Sequence, residues 1–293
     1  MPKSMTGFGR SQTQHPMASV AWEARSVNSR YLDLKWRLPM FLRAFESDLE
    51  KVVRRHVDRG RLEVTCHFQP KSPEAMDVSL NTPLALAMIR AVSDLAGTMG
   101  QTFTPDFARL LGMPSLWQEG LAQAPADLLE FLSQGLGQAM EDLGEFRLRE
   151  GRELARDIGQ RLVKLRHWRD RIESLAPQAK EDKFQALRDR LAATLDKLGL
   201  EASEERVLQE VAMLSDKLDV SEEITRLAGH LDQIGELLGQ DREVGKRLDF
   251  LLQEAFREIN TCGNKVQNLE ISRMVVEFKA ELEKCREQVQ NLE

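Results

Sequence analysis

Apolar and polar positions change period along the chain. Over roughly the first hundred residues the period is mostly two. Residues 4–14 read as a strand in which Gly7 and Gly9 allow bends. Residues 18–27 alternate around Val20 and Trp22. Tyr31, Leu32, Leu34 and Trp36 predict a third strand, joined to the second as a hairpin through Ser-Val-Asn-Ser-Arg, with Pro39 ending it. Leu62, Val64, Cys66 and Phe68 mark a half-buried strand. Before it, Phe45, Leu49, Val52 and Val53 take helical spacing over 41–57. Arg54, Arg55 and Arg59 suit that helix's C-terminal dipole and Gly60 caps it. A short strand over 76–80 leads into a helix opened by Pro83 and running to about residue 99. Residues 101–120 form a Pro- and Gly-punctuated connection with a short helix at 106–111.

From residue 126 the period becomes three to four. A long charged helix over 136–175 is expected to break at Pro177. A second follows over 178–198, and a third starts at Ser203 and runs toward Leu218, as antiparallel helical hairpins. Ile224, Leu227, Leu231, Ile234 and Leu238 make the next apolar stripe, with Glu223, Arg226, His230 and Gln233 one step round, at the core edge. On the following helix Leu248, Leu252, Ala255 and Ile259 pack. Glu254, Glu258, Thr261 and Lys265 line a second face, and Asp249, Gln253, Phe256 and Asn260 a third. The tail repeats Ile271, Val275, Phe278, Leu282, Cys285, Val289 and Leu292 as a strict heptad seam, fit to zip onto a helix of its own chain or of a partner subunit. The pattern predicts an α+β fold: a small mixed or antiparallel sheet domain with helices at 1–100, helical arms at 101–205, and a C-terminal helical domain at 206–293.

Composition adds direction. The net charge is −6, yet residues 1–68 carry 12 Lys+Arg against 7 Asp+Glu, so the excess of five there faces a deficit of eleven elsewhere. Such a head draws a polyanion and such a body draws cations, although chance segregation gives the same numbers. Three widely spaced cysteines, Cys66, Cys262 and Cys285, without CxxC spacing, point to reduced thiols and a cytoplasmic protein. The start MPKSMTGFGR lacks a signal core, and no apolar run reaches membrane-spanning length. Thr6-Gly7-Phe8-Gly9-Arg10 lacks the Lys-Ser/Thr of a phosphate loop. Glu254 and Glu258, four apart on one face, can share a divalent cation with a neighbouring histidine. Surface ion pairing with Arg257 or Lys265 explains the same spacing.

The stretches SMTGFGR, WEARSVNSRYLDLKWRLP and RGRLEVTCHF near the start resemble the YicC/YloC family of bacterial endoribonucleases. So do DVSEEITRLAGHL, GKRLDFLLQEAFREINT and ELEKCREQVQNLE near the end. The middle, about residues 73–205, resembles it mainly in length and helical character. The resemblance implies a hexameric, cytoplasmic endoribonuclease that cuts single-stranded RNA with Mn2+ or Mg2+, and RNA-degradation machinery as a further partner. It nominates His230, Glu254, Glu258 and Asp249 for catalysis, and Glu223, His230, Glu254 and Glu258 for metal. Arg10, Arg25, Asn28, Arg30, Arg37, Arg226, Arg257, Asn260 and Lys265 are nominated for contact with RNA. Two departures stand out: Phe256 replaces a usual asparagine, and Val266-Gln267-Asn268 follows Lys265 where an Asp-bearing run is usual. The competing expectations are a non-catalytic RNA-binding adaptor serving another nuclease, and a coiled-coil scaffold without RNA affinity.

Overall fold

The computed structural model describes residues 2–29, 31–72, 76–121, 126–198, 213, 215, 217–240, 244–266 and 268–292, with backbone alone at 118, 119 and 198. The chain divides into two compact units, 6–146 and 147–293, the second also holding residues 1–5. The α+β class holds, with a sheet first and helices after.

In the first unit β1 (Gly7–Gln14), β2 (Ala18–Val27), β3 (Leu32–Arg37) and β4 (Gly60–Pro70) form one sheet in the order β1-β2-β4-β3. β1 pairs antiparallel with β2, and β2 antiparallel with β4. β3 pairs with β4 in parallel, so the expected hairpin between β2 and β3 is not formed. A parallel pair needs a crossover rather than a tight turn. Here it is a 3-10 turn, Met40–Phe45, followed by α1 (Glu46–Arg54). Alternation marked these strands correctly, but alternation does not encode the partner.

The register points Val20, Trp22 and Ala24 to the same side as Phe68, Cys66 and Val64. That side is covered by α1 and by the first turns of α4 (Leu128–Leu198), through Leu132, Leu136, Ala139, Met140 and Leu143. A Cβ on Gly9 would lie 2.2 Å from the Ala139 carbonyl oxygen, so this glycine serves close helix-on-sheet approach rather than a bend. A second, two-stranded sheet pairs β5 (Met76–Leu80) with β6 (Trp117–Leu121). Between them run α2 (Thr82–Thr98), capped by the Asn81 side chain, and α3 (Phe107–Leu111).

The second unit begins within α4, which continues through Pro177 instead of ending there. Proline removes one backbone donor and crowds the preceding turn. Ile172, Leu175, Ala176 and Ala179 pack on the core either side of it, which holds the helix across that single loss. The expected helix start at Ser203 lies outside the described residues. α5 (Ser221–Leu238), α6 (Gly245–Lys265) and α7 (Leu269–Val289) complete the unit. The heptad seam from Ile271 to Leu292 is buried in this chain's own core, against stripes that include Leu231, Leu248 and Ile259. It therefore closes intramolecularly and is not free to zip onto a partner subunit.

Both ends of the chain are pinned here. Ser4 bridges Leu292, and Met5 N donates to the Asn291 carbonyl at 2.8 Å. The buried Arg147 donates from Nε to the Ser4 carbonyl. Cys66, Cys262 and Cys285 are free and buried, and burial pushes their thiols up to about 12, 11 and 12. Among the described residues no helix is long and apolar enough to cross a membrane.

Candidate functional site

The antiparallel pair α5 and α6 brings two carboxylates out of water. Glu223 and Glu258 are 8% and 7% exposed. Each occupies the helical step beside a packed leucine or isoleucine, so packing the apolar stripes carries the carboxylates inward with them. Glu223 Oε1 meets Lys265 Nζ at 2.6 Å, while its Oε2 is buried with no hydrogen-bond partner. Lys265 Nζ also donates to the Asp219 carbonyl oxygen at 2.9 Å. Arg226 pairs with Glu222 and stands 3.9 Å from Glu258 Oε1. Thus four nominated residues face one another across α5 and α6 as two pairs, Glu223 with Lys265 and Glu258 with Arg226.

Asp219 adjoins the first of these pairs. Its carboxylate accepts from Ser221 N and Oγ at 2.9 and 2.5 Å and from Lys180 Nζ at 3.1 Å. The Ser221 bonds, then Lys180, hold this acid well below the usual carboxylate range. A cavity of about 330 Å3 opens beside it, lined in part by Lys180, Asp219, Ser221 and Thr225. Neither Asp219 nor Lys180 was nominated from sequence. Lys180 is carried in by α4, from far along the chain, and no local pattern announces that.

The other nominated residues of these helices are dispersed. Glu254 and His230 are half-buried and have no side-chain partner among the described residues, and Arg257 is exposed and likewise unpaired. The cation near Glu258 is therefore Arg226, not Arg257. Asp249 sits on another face of α6, accepting from Gln253 at 2.6 Å and from Arg286 of α7 at 3.0 Å. Asn260 accepts from Lys279 of α7 at 2.6 Å, and that ammonium lies 5.7 Å from the centre of the Phe256 ring. Phe256 thus fills this face with an apolar ring that a cation covers.

Among the described residues no group of three His, Cys, Asp or Glu is placed to hold a metal ion. A Mg2+-like ion asks less of a protein: one or two carboxylates, with water and substrate phosphate completing the shell. The unpartnered Glu223 oxygen and the neighbouring Glu258 fit that smaller demand.

In the sheet unit the nominated cations share a face. The register places Arg10, Arg25 and Arg37 on the side of the sheet away from the core, together with Lys35 and Arg61, which were not nominated. Arg25 lies 5.6 Å over the Phe8 ring and 3.6 Å from Glu23. Arg37 pairs with Glu63, and Arg61 stands 3.5 Å from Asp33. Arg10 is exposed, its side chain without an ion-pair partner among the described residues. Asn28 is exposed just past β2, and Arg30 lies outside the described residues.

Residues 3–156 match the N-terminal region of YicC-like endoribonucleases and residues 172–293 match the C-terminal domain of the same proteins. The chain belongs to the YicC-like endoribonuclease family. A protein of Clostridioides difficile (strain 630) named "Probable endoribonuclease YicC" is 32% identical over the whole of both chains. One of Haemophilus influenzae with the same name is 33% identical over 99% of each. The two YicC-like matches meet in the middle of α4, on either side of residues 157–171. The buried-carboxylate cluster falls wholly in the C-terminal match, and the basic sheet face wholly in the N-terminal one.

Proposed function

We propose that this protein is an endoribonuclease that cuts single-stranded RNA, hydrolysing a phosphodiester with the help of Mn2+ or Mg2+, in the cytoplasm and as a homo-oligomer. The names of its relatives support RNA cleavage. The observation that carries the site is the buried Glu223 carboxylate with one oxygen unpartnered, beside Glu258, Arg226 and Lys265. Lys265 gives the buried Glu223 carboxylate an opposite charge at 2.6 Å. A divalent ion, when bound, supplies an activated water and neutralises phosphate charge. Glu223 and Glu258 would hold it, and Arg226, with the exposed Arg257 beside Glu258 in the chain, would face the phosphates. His230 and Glu254, half-buried and unpartnered, are the groups left to move a proton. Arg10, Arg25 and Arg37 bind the flanking backbone through their shared sheet face.

A second reading has an observation of its own. Glu223 and Glu258 already face cations of their own chain, which suits a non-catalytic adaptor whose carboxylates are structural. Purified protein incubated with labelled RNA, with Mn2+ or Mg2+ and with chelator, separates the two. The nuclease cuts with metal and stops with chelator, and Glu223→Gln with Glu258→Gln lowers the rate at least a hundredfold while RNA still binds. RNA retention without cutting in any metal makes it the adaptor. Full cutting by the double variant at unchanged metal demand moves the site elsewhere.

A further inference from the structure

Between α4 and α7 of the helical unit lies an open cavity of about 720 Å3, within the range of small-ligand sites. Trp168 of α4 lines it and also packs on the core, its ring centre 6.3 Å from that of Phe278. The core therefore holds this ring in place at the cavity wall. Arg171 of α4 donates to Glu270 of α7 at 2.9 and 3.3 Å, and this ion pair ties the two helices together. His167, Arg273 and Glu277 line the same cavity and are exposed. None of the three has a hydrogen-bond or ion-pair partner among the described residues. Arg273 and Glu277 stand four apart on one face of α7, about 6 Å between Cβ atoms, a spacing at which opposite charges ordinarily pair with each other. Here both are left open, beside a fixed aromatic ring.

We propose that this cavity takes one guanine base of the RNA, stacked on Trp168 and read at its edges by Arg273 and Glu277. The proposal rests on the reading of the protein as an endoribonuclease and adds what that reading lacks, a device that tells one base from another. A ring held by the core is a stacking platform for an unstacked base of a single strand, whatever the base. The charged pair supplies the choice. Guanine carries two acceptors side by side, O6 and N7, which suit a guanidinium. It also carries two donors side by side, N1–H and N2–H2, which suit a carboxylate. No other RNA base has both pairs. His167 is left for the adjoining sugar or phosphate. The carboxylates are within reach along the same helix. Arg171 precedes Lys180 by nine residues, about 14 Å along the axis of α4. Lys180 meets the Asp219 carboxylate, and the Asp219 carbonyl accepts from Lys265, the partner of Glu223. An RNA strand held at Glu223 and Glu258 can therefore enter the cavity.

The test is the affinity of the full chain for labelled uridine oligomers carrying one central guanosine or one central adenosine, by fluorescence anisotropy, with chelator present so that nothing is cut. The wild type is expected to bind the guanosine oligomer at least about fivefold more tightly. The Arg273→Gln, Glu277→Gln variant is expected to lose that preference while its affinity for the adenosine oligomer holds. Both side chains are exposed, so the fold is not at stake, and a merely structural role would move the two affinities together. A wild type without the preference, or a variant that keeps it, overturns the pocket and leaves RNA cleavage standing. A wild type with no affinity for either oligomer overturns the underlying reading as well. Free guanine nucleotide shares this chemistry, and guanosine monophosphate titrated alone reports that source. Tight binding of it that the double variant loses, with no preference between the oligomers, assigns the cavity to the free nucleotide and overturns its assignment to RNA.

Discussion

Glu223 and Glu258 lie more than nine-tenths out of solvent, each facing a cation of its own chain, whereas Arg10, Arg25 and Arg37 stand on an open sheet face. The helical unit buries a few of its charges, and the sheet unit displays the cations nominated there. The difference matters because a buried pair loses far more than an exposed one when a partner is removed. Removing one member of a buried pair leaves the other charged without solvent, at a cost of about 3–5 kcal/mol. Removing one member of an exposed pair costs about 0–1 kcal/mol, since water takes its place. Charge in the first unit should therefore be felt in binding, and in the second in folding as well as chemistry.

The largest expected effect comes from Lys265→Met. It leaves Glu223 buried with neither oxygen partnered, and urea denaturation should show a loss of about 3 kcal/mol, the lower end because Lys265 is itself part-exposed. Adding Glu223→Gln should restore much of it, as the stranded charge goes. Arg37→Met, which breaks the exposed pair with Glu63, should change stability by less than about 1 kcal/mol. Equal losses in the two single variants would end the contrast between the units.

How far the sequence reached follows the same division. Period alone located β2, β4 and α5 to α7, because each buries one face and a buried face writes its repeat into the chain, whereas α2 was placed by Pro83 at its start. It could not pair β3, since the choice between β2 and β4 depends on where the crossover through α1 returns. It read Pro177 as a break, because local chemistry outweighs packing only in a short helix. Within the site, Glu223, Arg226, Glu258 and Lys265 were legible as members of helix faces. Asp249 shared their chemistry but not their face, and its contact with Arg286 was invisible without α7 in place. Lys180 and Asp219 meet across 39 positions, so nothing in either stretch pointed to the other.

The next effect down is on RNA. Changing Arg10, Arg25 and Arg37 together to Gln should weaken RNA binding about tenfold to a hundredfold, and lower the slope of log affinity against log salt by up to about three units. Metal demand for cleavage should not move, because the carboxylate cluster belongs to the other unit. Unchanged RNA affinity would transfer the binding role to Arg226, Arg257 and Lys265 and erase the division of labour.

Alkaline pH should then separate the units by their thiols. Burial holds all three above the ordinary value of 9, so the folded chain keeps protons that the unfolded chain gives up. Stability is whole below about pH 9 and falls as pH rises through the folded values, by about 1.4 kcal/mol per unit for each thiol. Cys66 reports on the sheet unit, and Cys262 with Cys285 on the helical one. Replacing Cys66 by Ala should flatten one part of that fall, read by thermal unfolding at pH 8 and pH 10, and replacing the other two should flatten about twice as much.

The smallest expected effect tests the edge of the cluster. Asp219 is held below the usual carboxylate range by Ser221 first and Lys180 next. Its contribution is present above the ordinary carboxylate pKa near 4 and is lost as pH falls toward the lower folded value. The side chain is about half exposed, and water screens the Lys180 contact, so the contribution is under about 1 kcal/mol. Asp219→Asn keeps an oxygen for the Ser221 bonds and removes the charge. The variant should fall behind the wild type by that small amount at pH 7, and the gap should narrow as pH drops below the ordinary carboxylate range, closing only where the folded carboxyl itself takes up its proton. Glu223, whose partner Lys265 also donates to the Asp219 backbone, should be unmoved, because that bond is to the carbonyl and survives the change. A loss of several kcal/mol in Asp219→Asn would mean that Asp219 behaves as a buried member of the cluster, and the line between internal and displayed charge would have to be redrawn to include it.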